Sequence, residues 1–296
     1  MPTLDDKRIQ RVALVRLVIG SVIISTAPVF IKLADVGPDA AGFWRMLFAS
    51  MALSVWIVAG RDGWQLPPAA RKYVIGGGIF LGLDFMCWHR SIDLIGPGLS
   101  TLLGNFQIFF TALFSWLLLK ERITPVFGVA LALAVTGLFL IAGLDFGALE
   151  GRVLLGLGLG IATAFFYSGL ILNLKQAMSL PGTDNKSAML VISVSCTLFM
   201  ALTTRGMNAS FVIPDTGSLL ALLGAGILCS TLAWALISNA MRVLPATLTG
   251  LVLLLQPALA LVWDVLLFNR PTGLIEILGV LLILMGIFLG SQRSGT

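Results

Sequence analysis

Ten apolar stretches of roughly twenty residues, separated by short charged or proline-bearing joints, leave this chain few ways to fold. A hydrocarbon core about 30 Å thick is crossed by a helix of about 20 apolar residues. Cutting at charges, prolines and polar clusters places spans at 14–34, 38–59, 72–94, 96–118, 123–143, 152–174, 187–204, 217–241, 245–267 and 272–290. The seventh is short and rich in Ser, Cys and Thr. Composition excludes the soluble alternative: 58% of the residues are apolar, 11% are charged and the mean hydropathy is +1.00. Soluble domains sit near half apolar and a quarter charged, and must keep a polar shell. Lipid is the solvent that accepts this surface. The first stretch follows basic residues like a signal peptide, but it has span length and no small-residue cleavage site. It therefore reads as an uncleaved first helix.

The net charge of +5 would suggest nucleic acid in a soluble chain. Here the basic residues cluster between apolar runs and read as topology signals, with no nucleic-acid partner expected. With the N-terminus inside, the inner side holds Lys7, Arg8, Arg11, Arg16, Arg61, Arg71, Lys72, Lys120, Arg122, Lys175, Lys186, Arg242 and Arg293. The outer side holds Lys32, Arg45, Arg90, Arg152, Arg205 and Arg270, with Arg45 taken as close to a helix end. That is 13 against 6 of the 19 basic residues, so the positive-inside rule places both termini in the cytoplasm of a bacterial-type inner membrane.

The chain also repeats itself. Residues 97–141 match 245–290 at an offset of 148 to 149: Pro97 with Pro245, Thr101 with Thr249, Gln107 with Gln256, Arg122 with Arg270, and Gly137 with Gly286. A unit of five spans is odd, so its second copy enters the membrane inverted. The expected fold is an all-α polytopic membrane protein with ten transmembrane helices in two inverted five-helix repeats, residues 1–147 and 148–296. Inverted repeats are characteristic of alternating-access transporters, whose site lies between the repeats near the midplane.

Several strings carry a resemblance. Ser25 to Ala34 (STAPVFIKLA), Phe43 to Arg45 (FWR) and Leu117 to Thr124 (LLLKERIT) mark the first half, and Leu244 to Ala260 (LPATLTGLVLLLQPALA) marks the second. Over about residues 12 to 292 the chain resembles the EamA-like branch of the drug/metabolite transporter superfamily. That resemblance implies a small-molecule permease, commonly an exporter, with no particular substrate. Two departures stand out: Gln107 is followed by Ile108 where the family often has proline, and the turn after the ninth span reads Asn269-Arg270-Pro271.

Polar side chains at mid-bilayer depth are expensive unless they face a cavity or a partner, so each is a candidate site residue. Asp84 is the sharpest. A carboxylate at that depth can trade a proton for a cationic substrate group, as an antiporter requires. Its structural alternative is a pair with Arg90 or Arg45. Gln107 and Gln256 occupy equivalent places in the repeats, and each amide offers donors and acceptors for carboxylate, amine or hydroxyl. Their alternative is interhelical hydrogen bonding. Pro257 removes a helical hydrogen bond beside Gln256. Trp88, one turn beyond Asp84, can stack on an aromatic or cationic group. Tyr167 and Trp234 are candidate cavity walls. His89, at i+5, is a second candidate for proton coupling or an outer-interface hydrogen bond. Ser25, Thr26, Ser230 and Thr231 are also near mid-depth. Asn173 and Asn239 read as solvated caps, while Trp44, Trp56, Trp116 and Trp263 read as an interfacial belt.

Other chemistries lack their residues. The three cysteines, Cys87, Cys196 and Cys229, are far apart, and His89 is the one histidine, so no metal site and no cofactor is expected. No GxxxxGK[ST] loop exists for ATP. An intramembrane enzyme would want paired aspartates or a Ser–His pair at one depth. A lipid flippase or scramblase, an uncoupled facilitator and an assembly subunit remain open as alternatives to a transporter of a small polar or amphiphilic metabolite. Glycines four apart at Gly78–Gly82, Gly156–Gly160 and Gly286–Gly290 allow close helix approach within one protomer or across a homodimer.

Overall fold

A computed structural model describes residues 4–60, 64–95, 100, 103–120, 124–142, 151–268 and 273–292. These residues form helices and connecting turns, with no strand among them. The first span is two helices, α1 (Leu4–Ile24) and α2 (Ala27–Leu33). Then come α3 (Pro38–Gly60), α4 (Pro68–Ile95), α5 (Gln107–Leu118) and α6 (Pro125–Ala142), completing the first five spans. The second five begin with α7 (Gly151–Ser179) and α8 (Asn185–Gly206). The eighth span is α9 (Thr216–Gly224), a π-helical segment (Ala225–Ala233) and α10 (Trp234–Met241). The ninth is α11 (Ala246–Leu253) and α12 (Leu255–Phe268), and the tenth is α13 (Leu274–Gln292).

Five of these stretches are long and apolar enough to cross a membrane by themselves, and four shorter apolar helices accompany them. The third span, α4, has ample length at 28 residues, but its charged residues lower its hydropathy. The seventh, short on paper, is a 22-residue helix capped by Asp184, whose carboxylate accepts from the Ser187 backbone N–H at 2.9 Å. Exposed Leu, Ile and Val side chains cover the outside of the bundle, as hydrocarbon permits.

The pairing of helices follows the inverted repeat. α3 packs on α8, which are the second spans of the two halves, and α4 on α7 is matched by α10 and the π segment on α1. The fifth spans, α6 and α13, pack closely along one another. A Cβ on Gly137 would run into the Gly279 carbonyl oxygen, and one on Gly286 would lie 2.6 Å from the Ala130 carbonyl oxygen and 3.1 Å from Ala134. Gly137 and Gly286 are 149 residues apart, as are Ala130 and Gly279, so the contact is reciprocal. The fourth and ninth spans also break alike. Phe106 donates its N–H to Leu103 and Leu254 donates to Leu251, tight i→i−3 turns 148 residues apart.

The other glycines of the repeated spacing are also used inside the chain. A Cβ on Gly78 would lie 2.6 Å from the Ile192 carbonyl oxygen, and one on Gly156 would lie 2.5 Å from the Ile95 side chain.

Gly137→Ala should destabilise the protein in detergent by about 1–3 kcal/mol, because the added methyl meets backbone that cannot rotate away. Gly128→Ala on the same helix, where nothing lies within 4 Å, should be neutral or slightly stabilising. Thermal melts of the two variants check the contrast.

Candidate functional site

Each break in a span presents a side chain or carbonyl that a straight helix would hide. Between α1 and α2 the chain turns at Ser25 and Thr26, whose hydroxyls return to the Val22 and Ile23 carbonyls at 2.6 and 2.7 Å. Pro28 has no N–H to give Ile24, so the ladder stays open there. Trp263, expected in the interfacial belt, instead donates its indole N–H to the Ser25 hydroxyl at 2.8 Å and pins this break from α12. In the eighth span the π segment adds a residue to the turn. The Thr231 hydroxyl donates to Gly226 five residues back at 3.1 Å, and Gly226 lets the segment lie against α3. A Cβ there would meet the Arg45 carbonyl oxygen at 2.8 Å.

These breaks surround a cavity of about 170 Å³. At roughly 30 Å³ per water, that is space on the order of six water molecules, the scale of a small solute. Its polar lining comes from both halves: Ser25, Arg45, Asp84 and Asn105 from the first, and Thr163, Tyr167, Ser230 and Gln256 from the second. Its apolar wall includes Trp88 and Trp234, with Ile24, Met46, Leu81, Phe85, Leu170, Met189 and Ile192. Tyr167 and Trp234 meet edge to face at a centroid distance of 6.3 Å, and the Gln256 amide donates to the Tyr167 hydroxyl at 3.4 Å.

Of the residues singled out from the sequence, the structure brings Asp84, Trp88, Tyr167, Trp234 and Gln256 together around this space. It does not bring Gln107 there. That side chain is fully buried between the fourth and ninth spans, where its amide donates to the Gly250 carbonyl at 3.3 Å and accepts from Thr111 at 2.9 Å. A Cβ on Gly250 would crowd the Ile108 side chain at 3.1 Å and lie in ordinary contact, at 3.5 Å, with the Gln107 amide oxygen. His89 stands behind the lining, stacked on Phe85 and tilted against Trp88, and its Nδ1 has no hydrogen-bond partner among the described residues.

The largest addition is Arg45, expected close to a helix end. α3 begins at Pro38, so Arg45 lies seven residues, or roughly 10 Å, inside the span. Its Nε donates to the Ser230 hydroxyl at 2.7 Å, and its guanidinium sits over the Phe85 ring at 5.3 Å. Proline at the first helical position was the signal that could have set this depth. Arg90, the other expected partner of Asp84, instead forms an ion pair with Asp39 at 3.3 Å, bridging α4 to the start of α3. Asp84 and Arg45 are thus the two opposite charges facing one cavity from neighbouring helices.

On the side that carries the chain termini the helices of the second half are tied to one another. Lys175 donates to the Met241 and Leu244 carbonyls at 2.6 and 2.7 Å, and the Asn185 amide donates to Ala235 at 2.8 Å. Arg242 donates to the Thr183 carbonyl, and Ser238 to Asn185.

The sequence model of the EamA-like transporter family matches residues 12–143 and 154–292, one copy to each half. The chain belongs to the EamA-like transporter family. It is a multi-pass membrane transporter of the drug/metabolite superfamily. No curated protein matches the chain. A solved crystal structure superposes on it with a TM-score of 0.80 over 94% of this chain and 96% of that one, at 16% identity, which is a likeness of fold.

The two equivalent amides of this EamA-like protein therefore differ in surroundings. Gln107→Met should lower stability by about 0.6 kcal/mol and leave substrate affinity unchanged, whereas Gln256→Met should weaken binding. Thermal melts beside substrate titrations in detergent separate the two effects.

Proposed function

We propose that this protein is a secondary transporter that exports a small zwitterionic or amine-bearing metabolite, such as an amino acid, by alternating access in exchange for protons. The observation that carries this reading is the single cavity into which Asp84 and Arg45 both face, walled by Trp88, Tyr167 and Trp234. Asp84 receives the ammonium, or a proton when the ammonium has left. Arg45, a planar multi-donor cation already oriented by Ser230, receives the carboxylate. Gln256 and the Tyr167 hydroxyl complete the polar contacts, and the aromatic walls accept the apolar part of the solute. His89, five residues beyond Asp84 and buried behind the lining, is the second group that would carry a proton.

The same reading places the protein in a bacterial-type inner membrane with both termini in the cytoplasm, in agreement with the distribution of Lys and Arg. The hydrogen bonds of Lys175, Asn185, Arg242 and Ser238 then lie on the cytoplasmic side, where they tie helices of the second half to one another. Rocking of one five-helix half against the other would alternate access to the cavity between the two sides. Transport needs a solute gradient or a proton gradient, since the sequence carries no nucleotide loop.

Proteoliposome uptake of a panel of amino acids, amines and lysolipids, with and without a pH gradient, tests the reading. Wild type should carry at least one amine-bearing solute, driven by the gradient. Asp84→Asn should abolish the response to pH. Arg45→Gln should weaken carboxylate-bearing solutes roughly ten- to hundredfold, the worth of a charged hydrogen bond, while leaving simple amines closer to wild type. Transport indifferent to both the gradient and Asp84→Asn would instead make the protein an uncoupled facilitator, and transport of lysolipids alone would make it a lipid flippase.

A further inference from the structure

A second cleft lies at the end of the bundle that carries the N-terminus, between α1 of the first half and α10 of the second. It has a volume of about 360 Å³ and is lined by Arg8, Ile9, Val12, Arg16, Asn239 and Val243. We propose that this cleft binds the phosphate of an anionic phospholipid, with an acyl chain laid along α1.

Arg8, Val12 and Arg16 follow one another at four-residue spacing and so share a face of the helix. The two arginines are roughly 12 Å apart along the axis, with the apolar Val12 between them. Arg16, the deeper one, is long enough to reach back toward the interface with its apolar stem along the helix. Neither guanidinium has an ion-pair or hydrogen-bond partner among the described residues. Asn239 faces them from α10, half-buried, and its side-chain amide likewise has no hydrogen-bond partner among the described residues. Two guanidiniums and the NH₂ of one amide, donors without an acceptor among the described residues, line one cleft. A phosphate diester supplies the missing acceptors, and arginine binds it through paired N–H groups.

The apolar part of the surface names the source of that phosphate. Ile9 and Val12 in the cleft, and Val15 and Ile19 further along α1, are exposed at 48%, 45%, 56% and 47%. They continue from the arginines into the hydrocarbon region as a strip the length of an acyl chain's upper half. A soluble anion would use the donors and leave this strip uncovered. A basic recess between transmembrane helices, with an apolar track below it, is the arrangement that recognises an anionic headgroup. Because α1 and α10 belong to opposite halves, a lipid held there bridges the two halves on this side. The assignment does not rest on the transported solute.

Native mass spectrometry of the full-length protein, released from mixed micelles holding phosphatidylglycerol and phosphatidylcholine in equal amounts, tests it. Wild type should retain one phosphatidylglycerol with a preference of roughly tenfold or more, the worth of two basic side chains at the surface. Arg8→Gln with Arg16→Gln should bring that preference below about twofold. Asn239→Asp should do the same, since it keeps both arginines, and with them the topology signals, but sets a carboxylate against the phosphate. Arg11→Gln removes a charge from the same helix outside the cleft and should leave the preference unchanged, with thermal melts confirming that each variant is folded. An unchanged preference in the double variant, or an equal loss in Arg11→Gln, would overturn the proposal. Displacement of the lipid by millimolar inorganic phosphate or glycerol 3-phosphate would make the cleft a site for soluble anions and overturn the lipid assignment.

Discussion

Inside hydrocarbon a backbone N–H or C=O has nothing to bond except the chain itself, and the cost of leaving one bare is several kcal/mol. Unbroken helices meet that demand, and α7 and α8 run 29 and 22 residues without interruption. Among the described residues the interruptions fall in the first, fourth, eighth and ninth spans, and each surrounds or adjoins the central cavity. Each is also repaired locally. Ser25 and Thr26 return hydroxyls to the helix behind them, and Thr231 bonds Gly226 inside the π segment. Trp263 adds a donor from a neighbouring helix. The breaks are therefore the part of the fold that yields the central cavity, and the rest of the bundle exists in the form that keeps them tolerable.

The same cost governs the charges. A buried ion is tolerable when a partner or a water-filled space faces it. Arg90 has Asp39, and the pair closes the gap between α4 and the start of α3. Once that pair is made, Asp84 is left with the cavity and with Arg45 across it. Arg45 in turn is held by Ser230 and the face of Phe85, neither of which neutralises it. The cavity is thus electrostatically unfinished in a way that a molecule carrying both charges would complete.

How much of this could be read from the residues follows from which constraints act locally. Span number and placement were legible because lipid imposes a length and an apolarity on every crossing helix, and even the weak seventh span formed. Asp84, Trp88, Tyr167, Trp234 and Gln256 were legible because polar and amphipathic groups at mid-depth have few places to go. Arg45 was misplaced because it was assigned to a span end, where charges are cheap, although Pro38 fixes the helix start well before it. The π segment carries no signal of its own. Its residues include no proline and a single glycine, so an ordinary α-helix was open to them, and the extra residue goes with the packing against α3. Gln107 shows the limit of symmetry as a guide. The repeat equates it with Gln256, but Gln256 faces a phenol at Tyr167, whereas one repeat back, at the same offsets, the first span holds Val18 and Ile19. Without that partner the first amide turned to the bare backbone at Gly250 instead.

This division between symmetric scaffold and asymmetric lining bears on how the protein could move. If the two halves exchange conformations, contacts that map onto themselves under the repeat can survive the exchange, and contacts that do not must break. The α6–α13 joint maps onto itself, since Gly137 meets the partner helix at Gly279 just as Gly286 meets it at Ala130. That makes it the natural pivot, rigid because two glycines bring backbone against backbone. The ties at the two membrane faces correspond as well: Arg90 joins the end of the third span to the start of the second through Asp39, and Ser238 joins the end of the eighth to the start of the seventh through Asn185. Each consists of a few polar contacts near a membrane face, where water can replace a lost partner at modest cost. Contacts of that kind are the ones the bilayer makes cheapest to open, while the deep apolar ones can stay closed throughout.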